Sequence, residues 1–389
     1  PQRYQFRYSY NYRNKIRIGF TAEKDPGEVF FTDKVNDSIK TLLGNKLRKG
    51  FDFYGFHAYV KDLGIVKDAA LGDYQISFGQ GLTLWSGMSF GKTTEGSSIM
   101  KRGGGIKPKA SAAESTFMRG AAVTLKVKDF SGTFFYSNRM IDANISVTDT
   151  LDEVERVSSL QETGYHRTIN EILNRRAIRQ QVFGGHLAYA NSHLEVGYTL
   201  HHTKLSAALL LEPSNYNQFY FQGTQLTNQG IDIKYVRNKF AFFGEIAMSS
   251  NKAFAGMAGL TAKPTGYINF TLSYRNYGMK YQNLLANPYG ESSRGQGEEA
   301  LYLGVQVAPA PYWNLLIYTD FFRMKWLTMQ VNNPSWGHDY YARLSHQVSR
   351  KASWNLVVRS KTKMKNTSNE QLFSHQPIFY TKNSVRFNI

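Results

Sequence analysis

The chain has 389 residues, no cysteine, 25 Tyr and 26 Phe, and a formal net charge of +18. Without cysteine there is no disulfide framework, no thiolate metal site and no thiol nucleophile. No segment approaches the roughly 18 uninterrupted apolar residues of a transmembrane helix, whereas a membrane β-barrel, whose strands alternate, is not excluded.

Residues 3–20, RYQFRYSYNYRNKIRIGF, place a ring at every second position: Tyr4, Phe6, Tyr8, Tyr10 and Tyr12. RNK then interrupts, and the beat resumes at Ile16, Ile18 and Phe20. A period of two is that of a strand pair with RNK as its turn. The same alternation recurs at 51–60, 72–79, 121–128, 131–139, 183–190, 193–201, 230–237, 239–248, 253–262, 266–276, 300–308, 313–322, 339–348, 352–361 and 383–389, which makes seventeen candidate strands.

The links after odd-numbered strands are short: RNK, KDLG, KDF, ANS, RNK, KPTG, APAP and SRK. Those after even-numbered strands are mostly long, at 23–50, 80–116, 142–178, 204–225, 278–298, 324–337 and 365–377, with 249–252 the short exception. This alternation predicts an all-β fold, an antiparallel up-and-down transmembrane β-barrel of the bacterial outer membrane with short periplasmic turns and long outer loops. Such barrels open on an outward-running strand and have an even strand number, so one further strand ahead of Pro1 is expected, for about 18 in the full protein. Residues 1–389 then form one barrel domain truncated at its N-terminus.

The apolar face of each strand, rich in Tyr and Trp, is expected to meet lipid. The opposite face, with Arg7, Lys126, Lys128, Lys234, Arg343 and Arg359, is expected to line the lumen. Asp232, Glu245 and Asp320 are expected to pair with lumenal cations. Within the loops, 148–160 and 168–181 carry helical patterns, the second with Ile169, Ile172 and Leu173 on one stripe. These pieces fit a surface excursion or an infolded plug.

SGMSFGKTTEG (86–96) ends like a phosphate loop, but Gly87 and Gly91 stand too close for that spacing and no helix follows. The densest basic loop is MKRGGGIKPK (100–109). Its Lys101, Arg102, Lys107 and Lys109 are candidates for binding an anion or an acidic partner, against a mobile solvated loop as the plainer alternative. No HExxH or calcium loop occurs; no catalytic residue, metal or cofactor is expected, and the protein is read as non-enzymatic.

Four stretches carry a resemblance: YRNKIRIGFTAEKDPGEVFF (12–31), KGFDFYGFHAYVKDLG (49–64), LGDYQISFGQGLTLWSGMSFGK (71–92) and SSLQETGYHRTINEILNRRAIRQQVFGGHLAY (158–189). They resemble the barrel region of Bacteroidota outer-membrane helix-hairpin-helix domain-containing proteins. That resemblance implies DNA-binding repeats ahead of the barrel, which are not in this chain. Three roles follow as expectations. One is a membrane anchor or subunit of an envelope complex, touching lipopolysaccharide and other envelope proteins. Another is a conduit for anionic solutes or macromolecules. The third is DNA handling through the upstream repeats.

Overall fold

The computed structural model describes residues 2–31, 35–87, 99–111, 113–147, 155–292, 295–367 and 376–388. Its strands are β1 (Tyr4–Tyr12), β2 (Ile16–Lys24), β3 (Phe53–Leu63), β4 (Val66–Ser77), β5 (Trp85–Ser86), β6 (Gly105–Pro108), β7 (Met118–Val127), β8 (Phe130–Ile141), β9 (Ala143–Val147), β10 (Glu155–Leu160), β11 (Ile178–Ala190), β12 (Leu194–Leu209), β13 (Gly223–Arg237), β14 (Phe240–Ser249), β15 (Phe254–Thr265), β16 (Ile268–Tyr277), β17 (Glu298–Val307), β18 (Trp313–Met324), β19 (Ser335–Gln347), β20 (Ser353–Asn366) and β21 (Pro377–Asn388). Two short helices, α1 (Asp37–Leu43) and α2 (Ile169–Leu173), stand in the loops.

All twenty-one strands belong to one sheet. Four of them, β5, β6, β9 and β10, are short pieces inside long connections. The remaining seventeen form an antiparallel meander in which each pairs with the next long strand. Every sequence-predicted strand falls on one of these, and the protein is an up-and-down transmembrane β-barrel of the outer-membrane type. Among the described residues, β1 pairs only with β2 and β21 only with β20. As first and last of an odd meander they run in the same direction, so they cannot close on each other antiparallel.

Register explains the two faces. Leu187, Tyr198, Ile231 and Ile246 are neighbours across β11 to β14, and all four are exposed. One residue along, Ala188, Gly197, Asp232 and Glu245 form the next row, on the lumenal side. All five rings of β1 are exposed as well. Such rows of bare rings and aliphatics have hydrocarbon as their solvent. Replacing Ile246, near the middle of β14, by arginine is therefore expected to cost about 2–4 kcal/mol. Urea titration of the barrel in detergent or bilayers checks this.

The tight turns use left-handed backbone: Arg13 and Asn14 after β1, Lys128 after β7 and Asn238 after β13 all have positive φ. Two consecutive left-handed residues suit the right-handed twist of a hairpin. Lys128, expected on the lumenal wall, thus sits in a turn. The second hairpin also turns later than KDLG suggests, because β3 extends through Leu63 and leaves Gly64 and Ile65 as the link.

The loop helices are shorter than their sequence patterns. Residues 155–160, in the first expected helix, are strand β10, which pairs with β9; 148–154 lie outside the described residues. The second pattern yields helix only over Ile169–Leu173, because Gln180 onward is claimed by β8 and β12. Ladder hydrogen bonds to two neighbours outweigh a helical preference of a few tenths of a kcal/mol per residue, roughly.

Candidate functional site

The 80–116 connection turns into the barrel. Its first part, Gly79–Ser86, doubles back beneath the end of β4: Phe78 N–H donates to Leu84 O at 3.1 Å, and β5 pairs with Ile76 and Ser77. Gln80, Leu82, Leu84 and Thr83 are all buried. Glycine is needed at two points of this reversal. Gly79 and Gly81 have φ of 54° and 84°, and a Cβ would lie 2.7 Å from Glu245 Oε2 at the first and 2.8 Å from Asn287 O at the second. That is the structural content of the GQG in GDYQISFGQGLTLW.

A polar latch holds this plug to the wall. Glu245 of β14 accepts from the N–H groups of Gln80 (2.6 Å) and Leu82 (3.1 Å) on Oε2 and of Thr83 (2.7 Å) on Oε1. His201 Nε2 lies 2.9 Å from Thr83 O, the Tyr281 hydroxyl donates to Leu82 O at 2.8 Å, and Asn283 Nδ2 donates to both carbonyls. Tyr281 and Asn283 come from the 278–298 loop, whose Asn287 N–H also donates to Gly81 O at 2.8 Å. Phe78 stacks on His186 of β11 at 3.9 Å.

Above the plug, the long loops enclose a cavity of about 910 Å³ at the outer mouth. The plug contributes Trp85 and Ser86 to its lining, and five arginines face it: Arg48, Arg119, Arg139, Arg175 and Arg176. Arg119 forms a fork on Asp73 (2.6 and 2.8 Å), and Arg139 donates to the carbonyls of Glu114 and Ser115. Arg175 donates to Asp52 O. The side chains of Arg48 and Arg176 have no hydrogen bond or ion pair among the described residues and are solvent-exposed. Of the acids in the lining, Glu114 is pushed up to about 8 by burial and then by the charge of Asp52, so it is neutral at pH 7. Glu291 is paired with Lys361 at 2.6 Å. Asp52 and Asp142 are bonded to His166, which leaves Glu162 exposed against Arg48 and Arg176, so the vestibule holds more positive than free negative charge.

One wall of the vestibule is pinned at His166, in the GYHRT stretch. Its Nδ1 lies 3.0 Å from Asp52 Oδ2 and its Nε2 2.8 Å from Asp142 Oδ2, while its N–H donates to Glu28 Oε1 at 2.8 Å. Burial alone pulls the imidazolium down, but the bonds to Asp142 and Asp52 outweigh it and carry the pKa up to about 9. Burial, with the adjacent Asp52, pushes Glu28 up to about 7. Thr168 completes the motif as N-cap of α2, accepting from Glu171 N–H while Glu171 accepts from Thr168 N–H. Residues from two separate connections, β2 to β3 and β8 to β11, thus meet on one histidine. No spacing in the sequence points to this, because the partners lie 24 and 114 residues away.

The four basic residues of 100–109 separate. Lys101 reaches Asn287 O and lies 4.6 Å from the Trp85 ring centre. Arg102 and Lys107 are exposed. Lys109 is buried between the Phe53 and Phe117 rings at 4.0 and 3.9 Å, since β6 folds this stretch back on β4. The glycines serve this folding rather than a free loop, and only two of the four cations are presented to solvent.

Burial lowers the Lys109 pKa from 10.5 to about 7. The unfolded chain therefore binds this proton more readily, and the contribution to stability is lost as pH falls from about 10.5 through 7. Lys109→Met, similar in shape, is expected to match or exceed the wild type at pH 7, with the gap closing toward pH 10. Thermal melts across that range check it.

The lumenal candidates are placed as follows. Arg7 shares a face with buried Thr21, and Lys126 lies one step beyond buried Thr124 on the same face. Lys234 Nζ is 3.3 Å from Glu195 Oε2. Arg343 is cross-strand from buried Leu316. Arg359 forms a fork on Asp339 at 2.9 and 2.5 Å. Asp232 and Glu245 are adjacent on the lumenal face, and Asp320 is bound by Arg275. Residues 88–98, with most of SGMSFGKTTEG, lie outside the described residues.

No family model matches the chain, and no curated protein does. Solved structures to which it is similar include Pseudomonas aeruginosa OpdQ (11% identity, 99% of this chain and 89% of that one, TM-score 0.47) and P. aeruginosa OccK7 (OpdD) (9% identity, 99% and 89%, TM-score 0.43). A third is an anion-selective porin from Comamonas acidovorans (11% identity, 99% and 85%, TM-score 0.35).

Proposed function

We propose that this barrel is a gated outer-membrane conduit for anionic solutes, closed in the present conformation by Gly79–Ser86. The observation that carries the reading is the latch itself. Leu82 and Leu84 pack into apolar clusters, but the backbone groups of the segment are taken up by one carboxylate, one imidazole, one hydroxyl and one amide, partners that a permanent apolar filling would not need. Water can replace such partners, at about 0.5–1.5 kcal/mol for each neutral pair and about 1.5–3 kcal/mol for each bond to the carboxylate. The plug is thus displaceable, and the arginine-lined vestibule above it would concentrate anions at the point of entry.

Single-channel recording in planar bilayers tests this. The wild type is expected to be mostly closed, and deletion of 80–87 is expected to give a large steady conductance whose reversal potential in a KCl gradient favours chloride. A deletion variant that folds and inserts but stays silent would remove the conduit. The anchor role is favoured by a different observation, the fully buried Tyr277, Tyr281 and Tyr289 inside the wall. On that reading the loops are structural, and the deletion abolishes folding instead of opening a path.

A further inference from the structure

We propose that Glu28, Asp52 and His166 bind one divalent first-row transition-metal ion, with Asp142 holding the imidazole from behind. Their ligand atoms lie within 4.8 Å of one another. His166 Nδ1 is 3.0 Å from Asp52 Oδ2 and 3.6 Å from Glu28 Oε1. Two donors on a tetrahedral zinc ion, each about 2.1 Å from the metal, stand about 3.4 Å apart. The observed separations straddle that value, so only small movements would close the site.

The surroundings have the form that metal sites use. The far nitrogen, Nε2, points at Asp142 Oδ2 at 2.8 Å. A metal ion would displace the Nδ1 proton of the imidazolium, while the proton on Nε2 stays shared with Asp142, which is the usual carboxylate–histidine–metal relay. Asp142 is itself fixed, accepting from Arg176 N–H at 2.7 Å. Glu28 is oriented by backbone donors, Asp25 N–H on Oε2 and His166 N–H on Oε1.

An independent sign of a missing partner is Asp52 Oδ1. It is buried without a hydrogen bond, on a residue only 5% exposed, beside the Glu28 carboxyl group. Two neighbouring buried carboxylates need a proton or a cation between them. Arg175, which donates to the main-chain carbonyl of Asp52, and buried Lys24 bring positive charge to this pair, but neither donates to Asp52 Oδ1. One histidine with two carboxylates suits zinc or its neighbours better than calcium, which prefers oxygen alone. Asp52 and His166 also line the vestibule, so the remaining coordination position opens on solvent. A bound ion would tie the loop after β2 to the loop after β8.

The test uses the full chain in detergent, stripped with EDTA and titrated with ZnCl₂ by calorimetry, and with CoCl₂ by visible absorption. One tight equivalent is expected, with a cobalt ligand-field band, and His166→Ala is expected to lose both. Asp142→Asn keeps all three ligands and is expected to weaken binding about 10–100-fold. Heat-modified gel mobility reports whether each variant retains the barrel. If His166→Ala does not, Asp142→Asn decides alone. A wild type that takes up no zinc, or a folded Asp142→Asn that binds as the wild type does, overturns the proposal.

Discussion

Replacing Glu245 by glutamine is expected to open the lumen. The carboxylate takes two N–H groups on Oε2 and one on Oε1, so both of its oxygens act only as acceptors. Glutamine has the same shape but one acceptor; its amide nitrogen must face at least one of those N–H groups. Hydrogen bonds to a charged group contribute about 1.5–3 kcal/mol each, and a buried donor left unpaired costs a similar amount. A loss of roughly 3 kcal/mol in plug docking corresponds to about a hundredfold rise in the undocked population. Open probability in single-channel recordings should rise accordingly, and Glu245→Ala, which removes every acceptor, should go further. The barrel should still fold, because the ladder around β14 does not involve the side chain. If Glu245→Gln and Glu245→Ala both record like the wild type, the latch is not what keeps the lumen closed.

The wall was legible in the sequence because period-two patterning and turn spacing are local properties. Each strand carries its own lipid-facing row, as Tyr4 to Tyr12 does in β1, and needs no knowledge of its neighbours to be recognised. The plug and the vestibule were only partly legible. Patterning pointed to 148–160 and 168–181 as plug material rather than to the start of 80–116, and the target of GQG was hidden because Glu245 lies 162 to 165 residues further on. The His166 cluster was invisible for the same reason. Motif reading looks for ligands at fixed spacing, as in HExxH, whereas here Glu28 and Asp52 reach the imidazole from one connection and Asp142 from the far end of its own. The basic loop was misleading in a different way. Charge and glycine content suggested either an anion-binding loop or a mobile solvated one, yet a short ladder with β4 and the Phe53 and Phe117 rings claim Lys109 for the interior.

Loss of Arg275 should have the largest effect on stability. Its guanidinium is 0% exposed and bridges two equally buried acids: Nε donates to Glu298 Oε1 at 2.6 Å, and the two terminal nitrogens donate to the Asp320 oxygens at 2.8 and 2.9 Å. Arg275→Met keeps much of the volume but leaves two carboxylates with no guanidinium between them, an arrangement that costs about 3–5 kcal/mol. Arg275→Lys should recover only part, because an ammonium cannot make the planar fork on Asp320. Adding Asp320→Asn to Arg275→Met removes one stranded charge, leaves Glu298 its two backbone donors, and should restore part of the lost stability. Unfolding midpoints in urea rank the four proteins, and an Arg275→Met midpoint equal to the wild type would reduce the triad to a passive contact. The effect should not stop at the wall. Glu298 also accepts from the N–H groups of Glu291 (3.0 Å) and Ser292 (2.6 Å), which anchors the same 278–298 loop that supplies Tyr281 and Asn283 to the plug. Arg275→Met should therefore raise channel activity as it lowers stability, whereas Glu245→Gln should raise activity at nearly unchanged barrel stability.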